Sequence, residues 1–204
     1  MDVRSFCLGA VDWLFPPQCG VCERVGSGLC AQCFQPGDPI SFHTKTLGGL
    51  AIGPYAGSLK AAVLALKRGR RDVAASLGAL LRPHIGSHEL LVPVPTTDER
   101  RAERGFDGAL TLARAAACDP ASIVAVLRQN SGDAQRGRSR LERLAASGRF
   151  LCVAPERVRD QTLTLVDDVV TTGATLEDCA TVLRASGARV ERAIVVARAD
   201  VLKE

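Results

Sequence analysis

Asp167 and Asp168 stand side by side at the end of the apolar run Leu163 to Val166, and Val169, Val170, Thr171, Thr172, Gly173, Ala174 and Thr175 follow them. Adjacent carboxylates accept hydrogen bonds from the neighbouring hydroxyls of a sugar. Thr171, Thr172 and Thr175 offer hydroxyl donors, Gly173 allows a tight turn, and the helical pattern opening near Ala174 presents unpaired N–H groups to an anion. The expected order is strand, acidic tip, anion loop, helix: carboxylates for a ribose, amides for its 5-phosphate. An ordinary strand-loop-helix turn with an acidic edge has the same outline. A P-loop requires a lysine after its glycine-rich run and a dinucleotide fingerprint requires three spaced glycines; this stretch has only Gly173 and no such lysine.

A second chemical cluster is Cys19-x2-Cys22-x7-Cys30-x2-Cys33. Two such pairs can each clamp a metal from one side and close a tetrahedral thiolate cage, which suits zinc and leaves no open position for catalysis. The role expected is structural, because so short a stretch cannot bury a core and would take its folding energy from the metal. A redox pair or a ribbon without metal are the alternatives. Cys7, Cys118, Cys152 and Cys179 sit singly in apolar or helical patterns. That distribution fits buried thiols in a reducing cytoplasm, not a disulfide framework.

The elements that must position these residues are bounded by composition. With 204 residues, 47% hydrophobic and 4% aromatic, the chain can bury one substantial core with a small appendage. The boundary is expected between residues 40 and 41, separating an N-terminal helix and ribbon from residues 41–204. A formal charge of +4 and a pI near 8.7 suit a phosphorylated substrate or nucleic acid without choosing between them. No apolar run is long enough to cross a bilayer, and the first residues show no basic leader or cleavage site. A cytoplasmic protein is expected.

Along the chain, Val3, Phe6, Cys7, Ala10, Val11 and Leu14 share a helix face that stops at Phe15-Pro16-Pro17. After Pro36 and Pro39 the composition is linker-like, and Leu50 to Tyr55 is β-like. Helices are predicted over Gly57 to Lys67 and Val73 to Leu81, the first ending in the basic cluster Lys67, Arg68, Arg70 and Arg71. Such a cluster is either a solvated, dipole-favoured helix end or, at Lys67, a functional cation. Leu90 to Pro95 reads as a short buried strand whose prolines suggest a sheet edge or an unusual turn at its end. It leads to Arg100, Arg101 and Arg104, whose guanidinium forks suit a diphosphate as well as a solvated loop. Gly105-Phe106-Asp107 opens a helix to Ala117, and Ile123 to Leu127 is the next predicted strand. Arg128 to Arg149 is polar, arginine-rich and glycine-broken, as a mobile active-site lid would be. Phe150 to Val153 and Val190 to Arg198 are predicted strands, and Thr175 to Ser186 a helix closed by Gly187.

In their order along the chain, Phe15-Pro16-Pro17, the cysteine pairs, Lys67, the Val92 to Pro95 strand, Arg104-Gly105-Phe106, Gln135, Arg143, Phe150 and Asp167 to Thr175 resemble the ComF family of zinc-ribbon and phosphoribosyltransferase-like proteins, which includes competence proteins and GntX-type relatives. Asp167 to Thr175 by itself resembles the phosphoribosyl diphosphate motif of type I phosphoribosyltransferases. Where the family typically reads Arg-Gly-Phe-Asn-Gln this chain has Asp107 and Gly108, the Asn usual after Arg143 is absent, and there is no second set of four cysteines.

The resemblance implies an α/β fold with a mostly parallel sheet flanked by helices and a small N-terminal zinc ribbon. It implies a phosphoribosyltransferase in which Asp167, Asp168 and Arg104 serve catalysis, and Asp167 to Thr175 with Lys67, Arg100 and Arg101 bind phosphoribosyl diphosphate accompanied by Mg2+. The acceptor stays unnamed, and a homo-oligomer is compatible. The rival reading is a protein that binds phosphoribosyl diphosphate or a nucleotide without turnover, or that handles single-stranded DNA in the manner of competence proteins. The few aromatics offer little for base stacking.

Overall fold

β-Branched and leucine-rich runs bounded by turns form the strands of this chain, and alanine-rich segments with apolar residues at three- and four-residue spacing form its helices. The computed structural model describes residues 16–97, 101–103, 105–129 and 149–199. The central sheet contains β1 (Ile40–His43), β2 (Gly48–Pro54), β3 (Leu90–Pro93), β6 (Thr162–Val170) and β7 (Arg189–Arg198), in the spatial order β1-β2-β7-β6-β3. Four of these strands run parallel, and β1 closes one edge antiparallel to β2. A separate two-stranded ladder pairs β4 (Leu127–Gln129) with β5 (Phe150–Cys152).

Helices cover both faces, so the fold is α/β with a mostly parallel sheet, as expected. On one face, Leu59, Val63 and Leu66 of α1 (Gly57–Lys67), Val73 and Leu77 of α2 (Arg71–Leu81) and Leu112 of α3 (Gly108–Ala116) pack on Ile52, Val166, Ile194 and Val196. On the other, Leu176, Ala180 and Leu183 of α4 (Ala174–Ala185) cover Leu163, Leu165, Ala193 and Val195 with Phe150. Adjacent strand residues such as Leu165 and Val166 serve opposite faces, which is why β7 is continuously apolar from Ala193 to Ala197.

Three sequence expectations change. β1 occupies part of the stretch expected to be linker, because one buried side chain, Phe42, anchors a four-residue strand. Ile123 to Leu127 is not a strand: Ile123 makes a single parallel bridge to Leu91, Pro120–Ser122 forms a 3-10 turn before it, and pairing begins at Leu127. β6 does not end before the carboxylates but runs through Asp167 and Asp168 to Val170, held by β7 along that length. β3 does lie at a sheet edge, and α3 starts at Gly108 because the Asp107 side chain accepts from Leu110 N–H at 3.0 Å. The predicted helix of residues 1–15 and nearly all of the Arg128 to Arg149 segment lie outside the described residues.

α2 and α3 cross closely at Gly78. A Cβ there would stand 2.3 Å from Ala115 Cβ and 2.8 Å from the Ala115 carbonyl carbon. Gly78→Ala should gain about 1 kcal/mol of helix propensity and lose roughly 1–3 kcal/mol to overpacking against a backbone that cannot turn aside. The urea midpoint is expected to fall; an equal or higher midpoint would show that the two helices separate freely.

Candidate functional site

β6 delivers the two carboxylates in its last third. Its continuation, Thr171 to Gly173, leaves the sheet as a short turn, and α4 begins at Ala174. Gly173 adopts φ 78°, the left-handed region that a Cβ disfavours, and Thr44 closes the space beside it: a Cβ on Gly173 would lie 2.2 Å from Thr44 Cγ2. Thr171, Thr172 and Ala174 are exposed, Thr175 is half-buried, and Gly173 is buried. Ala174 N–H lies 3.4 Å from Thr172 Oγ1. The first helical bond runs from Glu177 N–H to Gly173 O at 3.0 Å, which leaves the Thr175 and Leu176 amides ahead of the helical ladder. Val170 is buried and accepts from Ala199 N–H at 2.8 Å, and Val169 is half-buried.

The carboxylates have different surroundings. Lys67 Nζ, at the end of α1, lies 3.2 Å from Asp168 Oδ2. The fold thus brings together two residues that the sequence reading had singled out independently. Asp167 accepts from Asp168 N–H at 2.8 Å. Burial pushes the Asp167 carboxyl well above the usual carboxylate range, the Asp168 charge adds to the rise, and Lys67 offsets part of it. On the α4 side, burial pushes the Cys179 thiol up, and the charge of Asp167 contributes. Asp168 is therefore turned to the α1 face and Asp167 toward α4, a split that the image of two carboxylates at a solvated tip did not anticipate.

Of the basic residues after β3, Arg101 is exposed on the segment that follows the strand, and its N–H donates to Thr97 O at 2.9 Å. Arg100 and Arg104 lie outside the described residues, as do Gln135 and Arg143. Arg70, from the basic cluster, is committed elsewhere. It forks onto Asp72, with Nε to Oδ1 at 2.9 Å and Nη2 to Oδ2 at 2.6 Å, and also donates to Gln18 O, while Gln18 N–H donates to Asp72 Oδ2 at 3.0 Å.

That clamp holds the cysteine cluster against the start of α2. The four sulfur atoms of Cys19, Cys22, Cys30 and Cys33 lie within 4.8 Å of one another, and Cys22 Sγ and Cys30 Sγ are 3.7 Å apart. Tetrahedral zinc with Zn–S bonds of about 2.3 Å requires sulfur–sulfur edges of roughly 3.8 Å. The donor set and its spacing fit that ion. Burial would raise the Cys19 thiol, but main-chain N–H groups of Cys30, Cys22 and Val21 outweigh it and lower the thiol to about 6, so a thiolate is already favoured there.

Sequence reasoning missed Thr44, Thr46 and Glu177. Thr46 N–H and Oγ1 donate to the two Glu177 oxygens at 2.6 Å each, and Thr44 Oγ1 also donates to Glu177. Glu177 in the first turn of α4 was the one available signal; nothing local marked the threonines.

The raised Asp167 makes a stability prediction with a definite sign. A carboxyl whose folded-state pKa is raised contributes stability that is full below its unfolded value, near pH 4, and is lost as pH rises through the raised value. Asp167→Asn keeps the acceptor for Asp168 N–H and removes the charge. It should therefore stabilise the unliganded protein at pH 8, with an advantage that shrinks as pH approaches 4. Urea unfolding of both proteins across this range checks it; a constant difference would show that Asp167 is not desolvated.

No family model and no curated protein matches the chain. A solved structure described as the allosteric regulatory enzyme of purine biosynthesis is 21% identical, with a TM-score of 0.40; the match covers 60% of this chain and 26% of that one. The chain thus spans about a quarter of the length of that relative. Among the described residues, no helix is long and apolar enough to cross a membrane.

Proposed function

We propose that the protein binds phosphoribosyl diphosphate at the end of β6 and transfers its phosphoribosyl group to a nucleophilic acceptor. The observation that carries this reading is the meeting of Lys67 with Asp168 beside the left-handed Gly173 turn. A cation, two carboxylates and a set of helix-start amides are the kinds of group that a ligand carrying diphosphate, ribose and 5-phosphate would use. In type I phosphoribosyltransferases, which Asp167 to Thr175 resembles, this stretch has that task.

The residues act by placing charge. Asp167 and Asp168 accept from the ribose hydroxyls, while Thr171, Thr172, Thr175 and the α4 amides receive the 5-phosphate. Lys67 leaves Asp168 for the diphosphate, and Arg100, Arg101 and Arg104 supply further positive charge to the leaving group as an oxocarbenium-like C1 develops and the acceptor attacks it. Mg2+ bound with the ligand would neutralise diphosphate oxygens. Among the described residues the four cysteines are the one cluster of three or more His, Cys, Asp or Glu that could hold a metal, so Mg2+ would depend on the ligand's own oxygens.

Asp167→Asn and Asp168→Asn should each weaken phosphoribosyl diphosphate binding by about 1.5–3 kcal/mol, the range for hydrogen bonds to charged groups. Gly173→Val should do more damage, since its side chain meets both Thr44 and an unfavourable φ. Calorimetry with ribose 5-phosphate as a second ligand checks this. Equal affinity of wild type and both Asp variants for either ligand would place the site elsewhere. Salt-dependent single-stranded DNA binding without diphosphate release would favour the DNA-handling reading.

We also infer that residues 1–40 form a unit held by zinc on Cys19, Cys22, Cys30 and Cys33, and residues 41–204 a phosphoribosyltransferase-like unit. About one zinc per chain is expected by metal analysis. Cys30→Ser should lose it; an unchanged zinc content in that variant would remove the assignment.

A further inference from the structure

The turn between β1 and β2 reaches over to the start of α4. It is closed on itself, with Thr44 N–H to Leu47 O at 2.9 Å and Leu47 N–H to Thr44 Oγ1 at 3.1 Å. From it, Thr44 Oγ1 and Thr46 N–H donate to Glu177 Oε1, and Thr46 Oγ1 donates to Oε2. Arg184, two turns further along α4, braces the same turn, with Nη1 to Thr46 Oγ1 at 2.5 Å and Nη2 to Thr46 O at 3.2 Å. The methyl of Thr44 meanwhile occupies the space beside Gly173. One side chain thus touches both the glycine of the anion loop and the carboxylate in the helix's first turn.

This arrangement resolves an electrostatic conflict. A carboxylate in the first turn of a helix interacts favourably with the helix dipole, but a second anion bound at the same amides is repelled by it. With three donors on its two oxygens, Glu177 is drawn sideways to the β1–β2 turn. Burial alone would raise the Glu177 carboxyl; the bonds from Thr44 and Thr46 outweigh burial and hold it below its ordinary value, so it remains an acceptor.

Resting on the phosphoribosyl reading above, we propose that Thr44, Thr46 and Glu177 are positioning residues for the anion loop. They fix Gly173 and the Thr175 and Leu176 amides in the geometry that receives the 5-phosphate, and they hold the Glu177 carboxylate aside from it.

The test uses the full chain as wild type, Glu177→Ala and Glu177→Gln, with two readouts. In unliganded protein, amide hydrogen exchange at residues 177–179, whose N–H groups make the first bonds of α4 back to the loop, should speed up at least tenfold in Glu177→Ala relative to wild type. Glu177→Gln, whose carbonyl can still accept from Thr46 N–H, should recover most of the protection. Exchange in β6 and β7 should stay within twofold, which separates local loosening from general destabilisation. In titrations with ribose 5-phosphate, Glu177→Ala should lose about tenfold in affinity while inorganic diphosphate binds as in wild type. Exchange unchanged at residues 177–179, or raised equally across the sheet, would overturn the positioning role, as would faster exchange there with unaltered ribose 5-phosphate affinity. If wild type itself ignores ribose 5-phosphate, the phosphoribosyl reading falls and the assignment of these residues to a phosphate site falls with it, whereas the exchange result still decides whether they hold the loop.

Discussion

Everything at this end of the molecule depends on the pairing of β6 on the inside of the sheet. Nine residues, Thr162 to Val170, form one strand that β7 pairs along its length, with a register shift between Leu163 and Thr164, and that β3 pairs from Leu163 to Val166; the last third of that strand carries two acids. Burying carboxylates is costly unless partners compensate. The compensation is divided between the faces: Lys67 comes from α1 to Asp168, and the main chain of Asp168 donates to Asp167. Burial and the neighbouring Asp168 charge push the Asp167 carboxyl well above the usual carboxylate range. Perturbed carboxyls of this kind concentrate where ligands bind.

The same strand fixes where α4 must begin. Once Val170 has made its main-chain bond to Ala199, the chain has three residues in which to reverse onto the sheet face that α4 covers. A left-handed residue at position 173 accomplishes this, and a glycine both accepts that φ and leaves room for Thr44. The antiparallel edge strand β1 is more than a cover for the sheet. Its turn to β2 fills the space beside Gly173, so the conformation of the anion loop is set from two sides, by β6 through the chain and by β1–β2 through contact.

What could be read in the sequence follows from how local each feature is. The Gly57 to Lys67 helix was legible to the residue because its apolar face and its basic end both lie within the segment. The four cysteines were legible because their spacing is itself the geometry. β1 was not, since a four-residue strand with one buried side chain has no periodicity to detect, and its pairing partner supplies the missing order. Ile123 to Leu127 misled because an apolar run lying against the edge of β3 buries its side chains without forming a ladder. The end of β6 was misplaced for the opposite reason: charge suggested solvent, while strand pairing continued beneath it. Thr44 meets Glu177 across 133 residues of chain, and no local pattern can announce a contact of that range.

The turn joining α1 to α2 shows how the cysteine cluster and the β6 carboxylates share one support. Lys67, on its near side, is tied to Asp168; Arg70, on its far side, is forked to Asp72 and reaches Gln18 next to Cys19. Two residues of sequence, Arg68 and Gly69, therefore separate the cation that pairs with Asp168 from the cation that anchors the sulfur cluster. Arg70 gains its grip from planar, bidentate geometry, which a lysine could not reproduce, whereas Lys67 meets a single carboxylate oxygen on a flexible stem. The difference suits their surroundings. Arg70 holds two parts of the fold in fixed contact, and Lys67 holds Asp168 through a single ion pair at the end of α1.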